Sequence, residues 1–468
     1  MRYVSTRGQA PTLEFDEVLL AGLASDGGLY LPETWPIFDA RDIRSMQGMN
    51  YAELAVRVMT PFLGGRVDEA DLADMVEDSY RDFTHSAVAP LKQLDSDIWL
   101  MELFHGPTLA FKDYPMQLLG RLFDHVLSRR GERVTIVGAT SGDTGSAAIE
   151  ACRDRDAIDI FILYPHGRVS EVQRRQMTTV PSANVHCIAV EGTFDDCQDL
   201  VKAMFADTSF REGARLSAVN SINWARIAAQ IVYYFHAAVS IGAPDRPVSF
   251  AVPTGNFGNI FAAYAAKACG LPVDQLIIGT NSNDILTRFF ETGTLAMGDV
   301  HQSISPSMDI QVSSNFERFM FDLYGRDGDA LSSAMTEFRK DGTLSVGDNL
   351  HRTARGTISA VRLNDTETMA EMKRLLGSTG ELIDPHTAIG IAAGRAQMRQ
   401  GGAPVIAQAA AHPAKFPDAV ETATGVRPEL PPHLADLHDR PEHFDVLPND
   451  LAAIQTHVRQ HISLQGAA

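Results

Sequence analysis

Short apolar runs that alternate with polar turns and helix-like stretches dominate the chain from about residue 97 onward. The runs are DIWLMEL, RVTIVGAT, IDIFILYP, NVHCIAV, PVSFAVPTG, DQLIIGTN and APVIAQAAA. Runs that are apolar throughout suit parallel strands covered on both faces, and strand–turn–helix alternation is typical of an α/β fold. Because the ligands of such sheets bind at the carboxyl ends of the strands, the turns after these runs are the expected location of functional residues.

Changes in pattern along the chain predict four parts. Residues 1–95 are expected to form a helical and mixed N-terminal domain, because they contain amphipathic stretches such as YAELAVRVMTPFLGG. Residues 96–220 and 221–426 are expected to form two α/β domains. Residues 427–468 begin with a segment rich in Pro, His and Asp and are expected to wrap over the surface. The histidines of this tail lack regular ligand spacing, so no metal site is expected.

The overall charge limits the class of partner. Lys and Arg number 40 against 59 Asp and Glu, a net charge of −19, which argues against nucleic acid or an anionic membrane as the main partner. The four cysteines include no Cys-x-x-Cys pair and are expected to be reduced and buried. The N-terminus has no apolar signal region, and the most apolar stretch, IAAQIVYYFHAAVSIG, is short for a membrane span. A cytoplasmic protein with a small-molecule substrate is therefore expected.

A lysine in unusual surroundings is the first candidate for chemistry. Lys112 lies in LFHGPTLAFKDYP, among aromatic and small residues, whereas most of the seven lysines have polar neighbours. Such a setting desolvates an amine and favours its neutral form, which a nucleophilic lysine requires. The alternative is an ordinary surface lysine whose stem packs on apolar neighbours. Lys415, in AHPAKFPDAV, is a second candidate for a reactive lysine.

Two turns that connect a strand to a helix have the composition of anion sites. In VGATSGDTGSAAIE, a turn with hydroxyl groups at a helix N-terminus can bind a carboxylate or phosphate, although a well-capped ordinary turn is equally consistent. In AVPTGNFGNIFAAYAAKA, two glycines at Gly255 and Gly258 allow close approach of an anion to the backbone. The second turn has no lysine or acidic residue, which favours a single phosphate over a nucleotide triphosphate with Mg²⁺.

A third polar segment, NSINWARIAAQ, precedes a helix and includes an arginine. Arg226 can bind a phosphate through its two forked nitrogens, while Asn223 with a surface arginine would be the ordinary helix-capping alternative. A desolvated lysine, a backbone cradle for a phosphate and a hydroxyl-rich turn for a carboxylate together predict a pyridoxal 5'-phosphate site that acts on an amino acid.

These segments also resemble a known family when they are taken in order. The matching segments are HGPTLAFKD, GATSGDTGSAA, YPHGRVSEVQRRQMT, NSINWARI, PTGNFGN, DPHTAIG and AHPAKFPDAV. Together they resemble threonine synthase of the longer bacterial and fungal type, from MRYVSTRG to about residue 425. The resemblance implies a fold-type II pyridoxal-phosphate enzyme, similar to the β subunit of tryptophan synthase, with two α/β domains of parallel or mixed sheets and a mainly helical N-terminal region. It implies conversion of O-phospho-L-homoserine and water to L-threonine and phosphate, the last step of threonine biosynthesis.

The resemblance assigns roles to individual residues. Lys112 matches the Schiff-base lysine of the family. The positions implied for cofactor binding are Lys112, Phe111, Asp143, Gly255, Asn256, Phe257, Gly258, Asn259 and Ala410. The positions implied for substrate binding are Thr140, Ser141, Gly142, Thr144, Asn220, Ser221, Asn223, Arg226 and Arg168.

One position departs from the family pattern. The family usually has a threonine two residues before the His of HPAKF, where its hydroxyl contacts the pyridine nitrogen, and this chain has Ala410. Alternatives therefore remain: a lyase that eliminates phosphate from O-phosphohomoserine, a serine or threonine dehydratase, or a binding protein without turnover. A monomer or a homodimer is expected.

Overall fold

The computed structural model describes residues 1–217 and 222–463. Its strands are β1 Tyr3–Ser5, β2 Tyr30–Pro32, β3 Leu91–Gln93, β4 Ile98–Glu102, β5 Val134–Ala139, β6 Ile158–Pro165, β7 Val185–Glu191, β8 Leu216–Ser217, β9 Val248–Pro253, β10 Val273–Thr280, β11 Thr294–Ala296, β12 Thr343–Ser345, β13 Ile358–Arg362, β14 Val405–Ala409 and β15 Asp445–Pro448. Its α-helices are α1 Phe15–Ala21, α2 Ala40–Ser45, α3 Tyr51–Leu63, α4 Glu69–Tyr80, α5 Asp113–Arg130, α6 Asp143–Cys152, α7 Glu171–Thr178, α8 Phe194–Ala206, α9 Thr208–Gly213, α10 Trp224–Ser240, α11 Gly258–Ala268, α12 Ile285–Thr292, α13 Phe316–Leu323, α14 Gly328–Asp341, α15 Asp348–Thr357, α16 Asp365–Thr379, α17 Pro385–Gln397, α18 Pro417–Thr424 and α19 Leu451–His461.

All seven apolar runs form strands, as expected from the sequence. Strand β6 is buried at every position, which explains why its sequence is apolar apart from Asp159. Helix α10, which contains most of the longest apolar stretch, is buried along nearly all its length in the core. Within the described residues, no helix combines the length and hydropathy required to cross a membrane.

The first of two compact units comprises residues 1–19, 23–111 and 222–428. Its six-stranded sheet has the order β13-β10-β9-β14-β4-β3, and every neighbouring pair is parallel except β3 with β4. Helix α17 packs on this sheet, and its Ile391 joins Ile277, Val405 and Ala407 in a buried apolar cluster. The short pairs β1-β2 and β11-β12 are antiparallel. The carboxyl ends of β9, β10 and β14 position the polar loops of this unit.

The second unit comprises residues 20–22, 112–217 and 429–463. Its five-stranded parallel sheet has the order β15-β7-β6-β5-β8. The tail supplies the edge strand β15 and the helix α19, whose Ile454 and Val458 pack in a cluster with Cys197 and Leu200. The four-part division expected from the sequence remains a prediction. All four cysteines are free and buried, as expected.

Candidate active site

Lys112 lies immediately before helix α5 and is buried. The residue is 8% exposed, which excludes an ordinary surface lysine. Its Nζ lies 3.2 Å from Oδ2 of Asp143, the first residue of α6. A buried lysine next to a buried carboxylate is a costly arrangement unless both groups are well paired, so the geometry is typical of a functional site.

The turn between β5 and α6 is closed by a threonine side chain. The amides of Gly142 and Gly145 donate to Oγ1 of Thr140 at 3.0 and 2.9 Å. Gly142 has a φ of +140°, a conformation that favours glycine, and a Cβ there would lie 2.5 Å from the Cδ of Gln173. Ser141 and Thr144 are only partly buried, so their hydroxyl groups remain accessible to a ligand.

Gln173 on α7 completes this cluster, and sequence reasoning missed it. Its Nε2 donates to Oδ1 of Asp143 at 2.9 Å, so each carboxylate oxygen of Asp143 has a partner, Gln173 on one side and Lys112 on the other. The motif YPHGRVSEVQRRQMT contains Gln173, but only its arginine was singled out. That arginine, Arg168, lies exposed on the loop after β6. Asp196 is close enough to interact with it electrostatically, and the pKa of Asp196 is lowered chiefly by the backbone N–H of Thr193 and to a lesser extent by Arg168.

The loop Gly255–Asn259 connects β9 to α11 and leaves its amides for an anion. Its carbonyl groups are engaged: Gly255 accepts from Oγ of Ser313 at 2.7 Å, and Asn256 accepts from the N–H and the Nδ2 of Asn315, both at 3.1 Å. Phe257 has a left-handed φ of +63° and provides no side-chain cap to α11. The first amides of a helix lack intrahelical acceptors, so this uncapped N-terminus is suited to a phosphate.

Neighbouring residues enclose the loop closely. A Cβ on Gly255 would lie 3.0 Å from the carbonyl oxygen of Ser307, and one on Gly258 would lie 3.2 Å from Nδ2 of Asn315. These contacts explain, on packing grounds, why both positions are glycine.

Asn259 anchors the end of the loop through its side chain. Its Oδ1 accepts from the hydroxyl groups of Tyr233 and Tyr234, each at 2.6 Å, and its Nδ2 donates to Oε1 of Gln408 on β14. Burial raises the pKa of Tyr234, so this hydroxyl stays protonated and continues to donate. The two tyrosines and Gln408 were not found from the sequence, because they are distant from the loop in the chain and have no motif of their own.

Arg226 on α10 is a buried cation. It is 3% exposed, and within the described residues its Nη1 has no hydrogen-bond partner. Burial lowers the pKa of its guanidinium to about 10. The interpretation of Arg226 as a surface arginine is therefore wrong. A buried guanidinium of this kind is suited to bind an anion. The helix-cap alternative does hold for Asn223, whose Oδ1 accepts from the amide of Ala225 at 3.0 Å. Asn220 and Ser221 lie outside the described residues.

A second buried arginine, Arg318, makes hydrogen bonds that hold both the start of α10 and the surroundings of the glycine loop. Arg318 is fully buried, donates to the carbonyl oxygens of Ile222 and Tyr30, and also donates to Oδ1 of Asn315. Burial lowers its pKa to about 9. Because Asn315 binds the carbonyl of Asn256, Arg318 stabilises the start of α10 and the glycine loop together.

Ala410 follows β14, and both of its backbone groups are engaged. Its amide donates to Oγ1 of Thr387 at 3.0 Å, and its carbonyl accepts from the amide of Phe111 at 2.9 Å. Lys415, the second candidate for a reactive lysine, is fully buried and donates from Nζ to the carbonyl of Thr108 at 2.6 Å. Lys415 thus has a structural contact, which favours Lys112 as the reactive lysine.

The residues present fit pyridoxal phosphate. This cofactor needs a lysine amine for its aldehyde and hydrogen-bond donors for its phosphate. Lys112 is a buried amine, and the loop Gly255–Asn259 offers amides at an uncapped helix start while its carbonyls are held elsewhere. In the described part of the chain, no group of three His, Cys, Asp or Glu side chains is arranged to hold a metal ion.

Sequence comparisons match the chain to known families along most of its length. A family described as "Threonine synthase N terminus" matches residues 2–80, "Pyridoxal-phosphate dependent enzyme" matches residues 84–408, and "Threonine synthase, C-terminal" matches residues 387–458. A threonine synthase of Pseudomonas aeruginosa is 58% identical over 462 residues, 98% of each chain. One of Schizosaccharomyces pombe is 43% identical, over 90% of this chain and 89% of that protein.

Solved structures give the same result. The crystal structure of a pyridoxal-phosphate-bound threonine synthase from Brucella melitensis has a TM-score of 0.97 and 55% identity, and it covers 98% of this chain and 99% of its own. The yeast threonine synthase has a TM-score of 0.94 and 37% identity, with 98% of each chain covered.

Proposed function

The chain belongs to the threonine synthase family of pyridoxal-phosphate-dependent enzymes, and we propose that Lys112 and the loop Gly255–Asn259 carry out the reaction of that family. The reaction converts O-phospho-L-homoserine and water to L-threonine and phosphate. The fold class and the cofactor expected from the sequence are confirmed. The observation that most supports the site is the burial of Lys112 against Asp143, since buried and charge-paired ionisable groups are concentrated at functional sites.

Lys112 would hold the cofactor aldehyde, and the amides of the loop would bind its phosphate. When bound, pyridoxal phosphate supplies an electron sink that makes the protons on the substrate Cα and Cβ removable. In this proposal Phe111 and Ala410 would contact the cofactor, as would Asp143.

The amine of Lys112 moves the protons. With the substrate bound, Nζ would accept the proton from the substrate Cα and transfer protons at Cβ. Asp143 orients this amine, because its other carboxylate oxygen is fixed by Gln173. The pair therefore defines where the base lies before the substrate arrives.

The two ends of the substrate bind to different groups. Thr140, Ser141, Gly142 and Thr144 bind the substrate carboxylate at the N-terminus of α6, where the helix dipole favours an anion. Arg226 binds the leaving phosphate together with the segment that contains Asn223, and its burial with Nη1 making no hydrogen bond within the described residues supports this role. Arg168 and the residues Asn220 and Ser221 are further candidates for the phosphate.

We also propose that the enzyme works in the cytoplasm as a monomer or homodimer, without a nucleic acid partner. The net charge of −19 supports the last point. Size-exclusion chromatography coupled to light scattering measures the oligomeric state directly.

One incubation tests the function. Purified protein with pyridoxal phosphate and O-phosphohomoserine is analysed for phosphate, threonine and 2-oxobutyrate. Equal amounts of phosphate and threonine are expected. Phosphate with 2-oxobutyrate would identify a phosphate-eliminating lyase instead, and no phosphate release would contradict both activities.

A further inference from the structure

The segment Asp384–Thr387 at the start of α17 has a buried polar arrangement that the proposed reaction does not use. Asp384 is fully buried and caps the helix, accepting from the amides of His386 and Thr387 at 3.0 and 3.2 Å. Oδ1 of Asp384 also accepts from the Thr387 hydroxyl, and Oδ2 lies 2.7 Å from Nδ1 of His386. The carboxylate thus fixes the imidazole ring in place.

The hydrogen-bond partner of Nε2 determines which ring nitrogen of His386 carries the proton. The backbone N–H of Ser307 donates to Nε2 of His386 at 3.2 Å, so Nε2 is the acceptor and bears no proton. Nδ1 therefore carries the hydrogen and donates it to Asp384. His386 is 3% exposed, and its ring lies against Phe416 with 4.9 Å between centroids. With both nitrogens engaged and the ring enclosed, His386 is not available as an acid or base for a substrate.

Ser307 connects His386 to the glycine loop. It belongs to a single helical turn, Pro306–Met308, and its carbonyl oxygen lies 3.0 Å from the point where a Cβ on Gly255 would be. The Cα of Met308 lies 3.2 Å from the same point. The backbone of this turn therefore forms the wall against which the start of the loop packs, and His386 holds that wall by its amide.

We propose that His386, oriented by Asp384, is a positioning residue for the binding of the cofactor phosphate. It fixes the turn Pro306–Met308 against Gly255 and so sets the spacing of the amides in the loop Gly255–Asn259. Because a phosphate cradle depends on several amides that point to one centre, a small shift of the wall weakens every one of these hydrogen bonds. This inference rests on the proposed role of the loop as the phosphate site.

Two substitutions separate the two bonds of the ring. In His386→Gln, the side-chain oxygen reaches the position of Nε2 and accepts from Ser307, while the bond to Asp384 is lost. In His386→Asn, the amide nitrogen takes the position of Nδ1 and donates to Asp384, while the hydrogen bond from the amide of Ser307 to this side chain is lost. The variants are a matched pair, since each removes one bond from the same buried position.

The measurement is the dissociation constant of the apoprotein for pyridoxal phosphate and for pyridoxal, which lacks the phosphate. We expect His386→Asn to weaken binding of pyridoxal phosphate about tenfold, and His386→Gln to remain within about twofold of the wild type. Binding of pyridoxal should be the same in all three proteins. A general loss of structure would weaken the binding of both ligands equally. A change in the affinity for pyridoxal phosphate without a change in the affinity for pyridoxal therefore reports on the phosphate alone.

The outcomes distinguish this inference from the proposed function. If the wild type binds pyridoxal and pyridoxal phosphate equally well, the loop is not a phosphate site and the proposed cofactor site itself fails. If the wild type prefers the phosphorylated form and both variants keep that preference, only the role of His386 is overturned.

A second measurement needs no variant. Hydrogen exchange of the Ser307 amide in the wild type should slow on addition of pyridoxal phosphate and stay unchanged with pyridoxal. Equal exchange with and without pyridoxal phosphate would overturn the inference even if His386→Asn does not fold.

Discussion

The amine of Lys112 and the carboxylate of Asp143 lie 3.2 Å apart, although the two residues precede and begin different helices, α5 and α6. The pair is buried, and Gln173 donates to Oδ1 of Asp143, whereas the amine of Lys112 lies against Oδ2. An ion pair in such a place contributes little to stability by itself. The pair instead serves to hold the amine of Lys112 at a fixed position.

Replacement of Lys112 by alanine should abolish threonine formation. The loss of the only proposed base lowers turnover by roughly 10²–10⁴-fold or more, and the aldehyde also loses its attachment. Lys92→Ala is the control, because Lys92 is exposed and forms a surface ion pair with Glu381. Threonine formed per minute is the measurement, and a Lys112→Ala protein that keeps a tenth or so of wild-type turnover would contradict the assignment.

Gly142→Ala should damage the turn before α6. The backbone at φ +140° disfavours alanine, and the new Cβ would lie 2.5 Å from Gln173, the partner of Asp143. We expect a lower midpoint of thermal unfolding and a higher KM for O-phosphohomoserine. Gly213→Ala is the control in the same unit, because its Cβ would meet nothing within 4 Å. Equal behaviour of the two variants would show that the turn tolerates a side chain.

Arg226→Met should change stability and substrate binding in opposite directions. The substitution removes a buried guanidinium whose Nη1 makes no hydrogen bond within the described residues, so the free energy of unfolding should stay equal or rise. The substrate phosphate loses a charge-assisted contact of about 1.5–3 kcal/mol, so KM should rise roughly tenfold to a hundredfold. Thermal unfolding and steady-state kinetics are measured together, with the exposed Arg41→Met as control. An unchanged KM would place Arg226 outside the phosphate site.

Ala410→Thr tests the departure from the family pattern. A hydroxyl at this position should restore a hydrogen bond to the pyridine nitrogen of about 1 kcal/mol, which corresponds to roughly a fivefold rise in kcat/KM. Ala410→Val has the same shape without the hydroxyl and serves as the control. If both variants behave alike, steric packing at Ala410 determines the effect and the hydroxyl has no role.

His186 should make the protein less stable in mild acid. Burial, assisted by His461, lowers its pKa from 6.5 to about 4, so the folded state holds the ring neutral. The unfolded chain binds the proton more readily, and stability is therefore lost as the pH falls from about 6.5 towards 4. The ring stacks on Phe161 at 4.4 Å, so His186→Phe should keep the packing and flatten this part of the curve. Urea unfolding at a series of pH values measures the difference, and parallel curves for the two proteins would contradict the role of His186.

The sequence was informative where local pattern determines structure. Seven apolar runs became strands because a parallel strand that is buried on both faces has few positions that face solvent. Strand β13 was not expected, because it lies at an edge of its sheet and its residues are largely half-buried. The glycine loop and Lys112 were found because turn chemistry and a lysine among apolar residues are visible in short segments.

Residues whose role depends on a distant partner were not found. Gln173, Gln408 and His386 each act through a residue at least thirty positions away, and no short window contains both partners. The sequence also did not reveal which side chains are buried. Arg226 and Arg168 follow similar polar turns, yet Arg226 is buried and Arg168 is exposed. Only tertiary packing distinguishes such positions.

The order of strands in the first sheet has a consequence for synthesis on the ribosome. Strand β4 pairs on one edge with β3, its neighbour in the chain, but its other edge waits for β14, about 300 residues later. At about 5–20 residues per second, translation leaves that edge without its partner for roughly 15–60 s. The strands β5 to β8 emerge within one short stretch and can pair much sooner. An open strand edge invites association with other nascent chains, so this protein should depend on chaperones during translation more than its finished fold would indicate.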